Sequence, residues 1–386
     1  MTRRDLLLAG TFSVAVPSLR SAEVVDLSRI ATLNDFEALA RARLNQMAYD
    51  YVAGGVGNEV TLRSNLASWD RIHVRPRILV DVSEIDTRVR LFDQELPHPV
   101  LFAPTAYHRL YHPEGELETV RGAAESKTTL VASAFATTTI EDMSRAAPAP
   151  LWFQLYVERD RGVTKALVQR AEAAGCKAIC VTVDQPVRGY RDREIRDGFA
   201  LPPGVERANL RGLSETLTKK IYADDGVYTP SHDPTFTLRD LEWLRSLARV
   251  PLLAKGVLTP EDADNVIRAG VAGIVVSNHG GRSVDTVPAT AEVFPAIVDR
   301  VAGRVPLLVD GGIRRGTDVM KALGMGANAV LIGRPYVYAL AVAGAKGMRR
   351  AVDILVTELK MSMAMSGRPN IASLGRDLIW KVPERL

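Results

Sequence analysis

The chain has 386 residues, 47% of them hydrophobic and 24% charged, which is the composition of a globular protein with a sizeable core. The formal net charge is only +4 and the basic residues are scattered along the chain, which argues against a nucleic-acid-binding arm. The two cysteines, Cys176 and Cys180, lie in an apolar stretch, so we predict buried free thiols and neither a disulfide framework nor a metal site.

The N-terminal segment has the features of an export signal. The pair Arg3-Arg4 precedes a weakly apolar stretch, and small residues follow up to Ala22. This order predicts a twin-arginine signal over residues 1–22 and a periplasmic or otherwise exported protein. The apolar stretch is too short to span a bilayer, so we expect no permanent membrane anchor. The alternative is a frayed tail on a cytoplasmic protein, because Arg20 occupies a position where signal cleavage prefers a small residue.

Residues 23–386 are predicted to form a single domain. Apolar residues at helical spacing predict a first helix from Leu33 to Val52, which ends at Gly54-Gly55. Asn65 to Trp69 belongs to a second, short helix.

From Val100 onward, compact apolar runs alternate eight times with helix-length segments. The runs are continuous rather than alternating, which indicates strands covered on both faces. Eight such units predict a (β/α)8 barrel, an α/β fold, whereas a doubly wound sheet is the structural alternative. The predicted strands are Val100–Ala103, Thr129–Ser133, Leu151–Tyr156, Ala178–Asp184, Pro251–Lys255, Gly273–Ser277, Pro306–Asp310 and Ala329–Gly333.

The connection after the fourth strand is too long for a simple crossover. Residues 198–233 are rich in proline, glycine and charged residues, and we predict a partly mobile, lid-like extended loop.

Polar residues at the strand ends suggest chemistry on one open face of the barrel. His279 and Arg282 follow the sixth strand and combine a proton acceptor with an anion-binding group. Asp184, at the end of the fourth strand, could orient His279 and stabilise its protonated form. Lys255 ends the fifth strand and could form a Schiff base or provide a fixed positive charge beside an anionic cofactor.

The last two strand ends suggest a phosphate site. Gly312 and Arg314 precede a helix whose first backbone N–H groups should be free, and Gly333-Arg334 follows the next strand. The run Gly324–Ala329 also fits a dinucleotide-binding pattern, but it precedes a strand instead of following one, so nicotinamide binding is not supported.

These residues resemble a known family. The chain from about residue 33 to 368 is similar to the FMN-dependent 2-hydroxy acid oxidases and dehydrogenases, the family of glycolate oxidase, lactate oxidase and mandelate dehydrogenase. The motifs that carry the resemblance are Ser277–Arg282, Tyr49–Tyr51, Arg75–Arg77, Ala103–Ala106, His112–Gly115, Gln154–Tyr156, Thr182–Asp184, Asp310–Gly312 and Gly333–Pro335.

The resemblance implies a role for each matching position. His279 would take a proton from an L-2-hydroxy acid, Asp184 would hold His279, and Lys255 would stabilise the reduced, anionic flavin. The substrate would be bound by Tyr51, Tyr156, Arg191 and Arg282. The FMN would be bound by Pro104, Thr105, Ala106, Ser133, Gln154, Thr182, Lys255, Ser277, Asp310, Gly312, Arg314, Gly333 and Arg334.

The resemblance also narrows the activity. Ala106 matches the oxidases, which release hydrogen peroxide, and Phe135 replaces a bulkier tryptophan, which implies a roomier pocket. The resemblance further implies a homotetramer. Three alternatives stay open: a dehydrogenase that passes electrons to a quinone or cytochrome, a Schiff-base aldolase using Lys255, and a non-catalytic barrel that binds a phosphate ligand.

Overall fold

The computed structural model describes residues 25–146, 150–212, 227 and 233–380. Three helices precede the barrel: α1 (Leu33–Arg43), α2 (Gln46–Ala53) and α3 (Val60–Asp70). The prediction of one helix from Leu33 to Val52 was wrong. The side chain of Asn45 accepts a hydrogen bond from the Ala48 amide at 2.8 Å and starts a new helix there, as N-capping asparagines do.

A short antiparallel hairpin, which was not predicted, follows these helices. Its strands are β1 (Val89–Leu91) and β2 (Gln94–Leu96). Leu91 and Leu96 belong to the same buried cluster as the side chains inside the barrel. The hairpin therefore packs against the barrel interior.

Eight parallel strands form a closed barrel, with β10 paired to β3. This arrangement confirms the predicted (β/α)8 fold and excludes the doubly wound sheet. The strands are β3 (Val100–Phe102), β4 (Leu130–Ser133), β5 (Leu151–Leu155), β6 (Ile179–Thr182), β7 (Leu252–Val257), β8 (Gly273–Val276), β9 (Leu307–Val309) and β10 (Ala329–Ile332).

Helices cover the outside of the barrel. In chain order they are α4 (Glu116–Glu125), α5 (Ile140–Ala146), α6 (Arg161–Ala173), α7 (Asp192–Arg196), α8 (Leu238–Leu247), α9 (Pro260–Arg268), α10 (Thr290–Val301), α11 (Gly316–Met325) and α12 (Arg334–Met365). The short helix α7 lies in the long connection after β6. Helix α12 is interrupted at Ala343 and Gly344, whose backbone angles are not helical.

The core has two layers because successive strand residues point to opposite faces. In β5, Trp152 faces the barrel interior, whereas Phe153 and Leu155 pack in the layer beneath the helices. Both faces are apolar, which explains the continuous hydrophobic runs of the sequence. Cys176 and Cys180 are buried free thiols, as predicted.

Parts of two predictions lie outside the described residues. The predicted signal at residues 1–22 is one, and most of the predicted lid, from 213 to 226 and from 228 to 232, is the other. Within the described part of the chain, we find no helix that is both long enough and apolar enough to cross a membrane.

Candidate active site

A cavity of about 780 Å³ opens at the carboxyl ends of the barrel strands. Its wall contains nearly every residue that the sequence predicted, including His279, Lys255, Arg282 and Arg334. Two predicted residues lie one layer behind it: Asp184 contacts His279, and Ser277 contacts Lys255. The other predicted residues in the wall are Tyr51, Pro104, Thr105, Ala106, Ser133, Gln154, Tyr156, Thr182, Arg191, Asp310, Gly312, Arg314 and Gly333.

His279 is arranged as a base. Its Nδ1 lies 2.9 Å from Asp184 Oδ1, and its Nε2 lies 3.5 Å from the Tyr156 hydroxyl. Burial lowers the pKa of His279, although the Asp184 carboxylate opposes this effect. Burial also acts to raise the pKa of Asp184, but the attraction of His279 outweighs it and the net shift is downward. An ionised Asp184 accepts a hydrogen bond from the Nδ1–H group of His279, which leaves the Nε2 lone pair directed at the cavity.

The backbone at this position is unusual. His279 has φ = 58°, and Gly280 and Gly281 that follow are also left-handed. A non-glycine residue rarely adopts this conformation, which costs roughly 1–3 kcal/mol and is concentrated at functional sites. The turn thus holds the imidazole at the barrel mouth.

Asp184 is positioned by a glycine that the sequence analysis missed. Gly256 has φ = 116°, and a Cβ at this position would come within 2.5 Å of the Asp184 Cβ. Only glycine lets β7 pass this close to the end of β6. No local sequence signal identifies this requirement, because it arises from the packing of two neighbouring strands.

Lys255 is a fixed cation rather than a nucleophilic amine. Its Nζ donates a hydrogen bond to Ser277 Oγ at 2.9 Å and lies 3.4 Å from Asp310 Oδ2. Burial alone would lower the pKa of Lys255, but Asp310 and Asp184 outweigh it and raise the pKa. A protonated amine cannot form a Schiff base, so the geometry disfavours the aldolase alternative.

Two arginines at one end of the cavity share a buried carboxylate. Arg282 Nη2 lies 2.9 Å and Arg191 Nη1 lies 3.2 Å from Glu194 Oε1. Burial acts to raise the pKa of Glu194, but Arg282 and Arg191 lower it overall. The sequence analysis missed Glu194, although its position three residues after Arg191 on α7 offers a weak signal. We call this end, with Tyr51, the substrate end.

Aromatic rings line the wall between the substrate end and the base. The Tyr51 ring stacks on Phe199 with centroids 4.4 Å apart and contacts Tyr107 at 5.7 Å. Phe135 contacts Tyr107 on one side and Tyr156 on the other, at 6.4 Å and 4.9 Å. Burial raises the pKa of the Tyr51 phenol to about 12, so it remains a neutral hydrogen-bond donor. Of these residues, Tyr107 and Phe199 were not predicted.

A row of polar side chains crosses three adjacent strands. Ser133 Oγ donates to Gln154 Oε1 at 3.2 Å, and Gln154 Nε2 donates to Thr182 Oγ1 at 3.1 Å. These three residues were predicted to contact a flavin ring, and their shared network fixes the Gln154 amide. Thr105 lines the cavity while its hydroxyl also contacts His108 and Tyr336.

Another part of the cavity wall, which we call the phosphate end, contains Arg314 and Arg334. It adjoins the substrate end, because Arg334 Nη2 and Arg282 Nη1 donate to the same Gly54 carbonyl at 2.8 and 2.7 Å. Burial lowers the pKa of both, that of Arg334 to about 10. Arg334 donates hydrogen bonds to the carbonyls of Val52, Gly54 and Gly280, and within the described chain neither arginine forms an ion pair with a carboxylate. Two unneutralised guanidiniums in one enclosed space suit a phosphate.

One expectation about this end was wrong. The backbone amides just before α11 and at its first residue are not free. Those of Arg314 and Arg315 donate to Asp318 Oδ2 and that of Gly316 donates to Glu358 Oε2, all at 2.8–3.0 Å. The anion site therefore depends on arginine side chains more than on the helix start.

The cavity fits FMN. Asp310 Oδ1 is buried without a hydrogen-bond partner in the described structure, which leaves an acceptor for a ribityl hydroxyl. Gly312 is pressed against Asn65 of α3, where a side chain would collide with the Asn65 carbonyl. A barrel with a base, a fixed cation and a phosphate site around one cavity is a cofactor-dependent enzyme.

Comparison with known proteins gives the same result. The model of the FMN-dependent dehydrogenase family matches residues 40–381, and the chain belongs to this family. An L-lactate oxidase from Nostoc sp. is 45% identical, over 88% of this chain and 95% of that protein. A 2-hydroxyacid oxidase from Dictyostelium discoideum is 42% identical, over 92% of this chain and 91% of that protein.

A solved structure is also similar. Mandelate oxidase, crystallised with (S)-2-phenylpropionate, superposes with a TM-score of 0.81 at 38% identity, over 89% of this chain and 96% of that one. The chain is therefore an FMN-dependent oxidoreductase with a (β/α)8 fold.

Proposed function

We propose that the protein oxidises an L-2-hydroxy acid to the 2-keto acid, with FMN as cofactor and molecular oxygen as electron acceptor, giving hydrogen peroxide. The observation that carries the proposal is the His279–Asp184 pair, which faces the same cavity as two carboxylate-binding arginines. The lactate, 2-hydroxyacid and mandelate oxidases that resemble the chain support this substrate class.

The substrate would bind through its two polar groups. Its carboxylate would accept hydrogen bonds from Arg191, Arg282 and the neutral Tyr51 phenol, since guanidiniums recognise carboxylates in a paired geometry. Its 2-hydroxyl would lie between Tyr156 and His279, whose nearest polar atoms are 3.5 Å apart. This placement brings His279 within reach of the groups on the carbon that is oxidised.

His279 would take one proton through Nε2 as the substrate loses two electrons. Its lowered pKa keeps the ring neutral, and thus basic, near neutral pH. Asp184 would then stabilise the imidazolium. Bound FMN would accept the two electrons together with the second proton that the substrate loses. Lys255 adds a positive charge at the same face of the barrel, where negative charge develops.

We propose that the FMN is held as the resemblance implies. Arg314, Gly333 and Arg334 would bind the phosphate, and Asp310 and Gly312 the ribityl chain. The ring would contact Pro104, Thr105, Ala106, Ser133, Gln154, Thr182, Lys255 and Ser277.

An anaerobic spectral titration tests the proposal. The purified protein is mixed with L-lactate, glycolate or L-mandelate without oxygen, and then exposed to air while peroxide is assayed. Bleaching of the flavin followed by fast recovery with peroxide is the expected result. Slow recovery in air would instead favour a dehydrogenase with a quinone or cytochrome acceptor. Failure of every hydroxy acid to bleach the flavin would contradict the proposal.

Two further properties are proposed on the sequence and the family resemblance. Residues 1–22 would direct export to the periplasm, and the mature protein would form a homotetramer. Sequencing the N-terminus of protein from the periplasmic fraction tests the first proposal. Light scattering of the purified protein tests the second. The expected mass is four times that of the mature chain, which is lighter than the 42.1 kDa of the full 386 residues.

A further inference from the structure

Arg207, in the described part of the long loop after β6, lies in the cavity wall beyond the substrate-binding arginines. Its guanidinium carbon is 4.1 Å from the centre of the Phe135 ring, and its Nε donates a hydrogen bond to the Tyr107 hydroxyl at 2.8 Å. Phe135 also contacts Tyr156 beside the base. Arg207 therefore lies on the same aromatic wall as the reacting centre.

Four other arginines of this region form ion pairs with carboxylates. Glu194 pairs with Arg188, Arg191 and Arg282, and Glu206 pairs with Arg211.

Arg207 differs from all of them. Its two terminal nitrogens have no hydrogen-bond or ion-pair partner among the residues that the structure describes. A half-buried guanidinium without a counter-charge, facing a cavity, is a ready binding group for an anion.

A nearby carboxyl group does not take this role. Glu158 is buried behind the wall at 1% exposure and forms no ion pair with Arg207 in the described chain. Burial raises the pKa of the Glu158 carboxyl to about 7, a shift that Arg207 opposes from a distance. The Glu158 carboxyl is thus only partly ionised at neutral pH, and the Arg207 charge is only partly compensated.

We infer that the preferred substrates are L-2-hydroxy acids with a second carboxylate on the side chain, and that Arg207 binds this second carboxylate. The inference rests on the proposed function, in which Arg191 and Arg282 hold the first carboxylate. A substrate with one carboxylate leaves Arg207 without a counter-ion. A dicarboxylate would pair with Arg191 and Arg282 through one carboxylate and with Arg207 through the other.

Matched substrate pairs test the inference. L-malate is compared with L-2-hydroxybutyrate, and L-2-hydroxyglutarate with L-2-hydroxyvalerate, so that each pair shares its chain length and differs in the second carboxylate. For at least one pair, we expect the dicarboxylate to have the higher kcat/KM by about tenfold or more, the range of a charged hydrogen bond. Equal or lower values for both dicarboxylates would overturn the inference.

Variants separate binding from packing. Arg207→Met keeps an extended side chain over Phe135. It should raise KM for the dicarboxylate about tenfold while leaving KM for the monocarboxylate within about twofold. Arg207→Lys should restore part of the loss. Arg196→Met, on the exposed side of α7, is the matched control and should change KM for neither substrate.

The outcomes are distinguishable. Parallel losses for the monocarboxylate and the dicarboxylate in Arg207→Met would mean that Arg207 only packs the loop, and the inference would fail. Reduction of the flavin by monocarboxylates alone would also reject the inference but keep the proposed function. If no acid reduces the flavin, the proposed function itself is wrong.

Discussion

The two ends of the cavity contain arginines in opposite electrostatic settings. At the phosphate end, Arg314 and Arg334 have no carboxylate partner in the described chain, and burial lowers the pKa of both. At the substrate end, Arg191 and Arg282 share the Glu194 carboxylate at 3.2 and 2.9 Å. The first pair depends on an external anion for neutralisation, whereas the second pair carries its own counter-charge.

This difference matches how long each anion, the cofactor phosphate or the substrate carboxylate, would stay bound. A cofactor that remains bound can serve as the permanent counter-charge of its site. A substrate must leave as product in every cycle, and the site must remain folded in between. A built-in carboxylate keeps the substrate-end arginines in place while the site is empty, at the expense of some binding strength.

The largest effect is expected at the base between the two ends. His279→Ala removes the proton acceptor, so flavin reduction by an L-2-hydroxy acid should slow on the order of 10³-fold. FMN content should be unchanged, because the His279 side chain contacts Asp184 and Tyr156, whereas Arg334 bonds the neighbouring backbone carbonyl of Gly280. Stopped-flow absorbance of the flavin measures the rate. Reduction at the wild-type rate would place the base elsewhere.

Removing the shared counter-charge should destabilise the substrate end. Glu194→Gln leaves two buried guanidiniums without their carboxylate, which should lower the free energy of unfolding by about 3 kcal/mol. Added oxalate should then raise the Tm of the variant more than that of the wild type, because the ligand replaces the lost charge. Asp192→Asn, on the same helix but pairing only with exposed Arg196, is the control. If oxalate raised the Tm of Glu194→Gln and of the wild type equally, Glu194 would not act as the counter-charge.

Glu158 is a buried carboxyl without the arginine partners that Glu194 has, and its pKa moves in the opposite direction, from 4.5 to about 7. Between these two pH values the unfolded chain releases a proton that the folded chain keeps, so stability falls as the pH rises and stays lower above pH 7. Glu158→Gln removes this loss and should be more stable than the wild type by about 3 kcal/mol at pH 8.

Denaturant unfolding of the Glu158→Gln variant and the wild type at pH 4.5 and 8 measures this effect. The two proteins should be nearly equal at the lower pH. Glu242→Gln, an exposed change on α8, should show no pH-dependent difference. The same difference in unfolding free energy at both pH values would show that Glu158 does not titrate as described.

The smallest effect is expected at the phosphate end. Arg314→Met should weaken FMN binding by about 2 kcal/mol, roughly 30-fold, through loss of a charged hydrogen bond. Riboflavin, which lacks the phosphate, should bind both proteins equally. Fluorescence quenching of each flavin measures both affinities, with Arg315→Met, whose side chain pairs with Glu358, as the control. An equal loss of riboflavin affinity would show that Arg314 does not act through the phosphate.

The sequence predicted the barrel because each strand is a continuous apolar run, and seven of the eight runs end in a polar or glycine residue. The same rule brought His279, Asp184 and Lys255 to one face, since parallel strands share their carboxyl end. It could not find contacts between distant segments, such as Glu194 with Arg282, 88 positions apart. The break at Asn45 was also missed, because the apolar spacing of α1 and α2 continues through the cap.

The hydrogen bonds of Arg334 have a consequence for how the protein is made. This residue follows β10, the last barrel strand, yet it donates to the carbonyls of Val52 and Gly54, at the C-terminal end of α2. Synthesis must therefore pass residue 334 before these hydrogen bonds can form. FMN binding that uses Arg334 is then a late step, and flavin fluorescence during translation would report synthesis beyond residue 334 rather than the folding of any earlier segment.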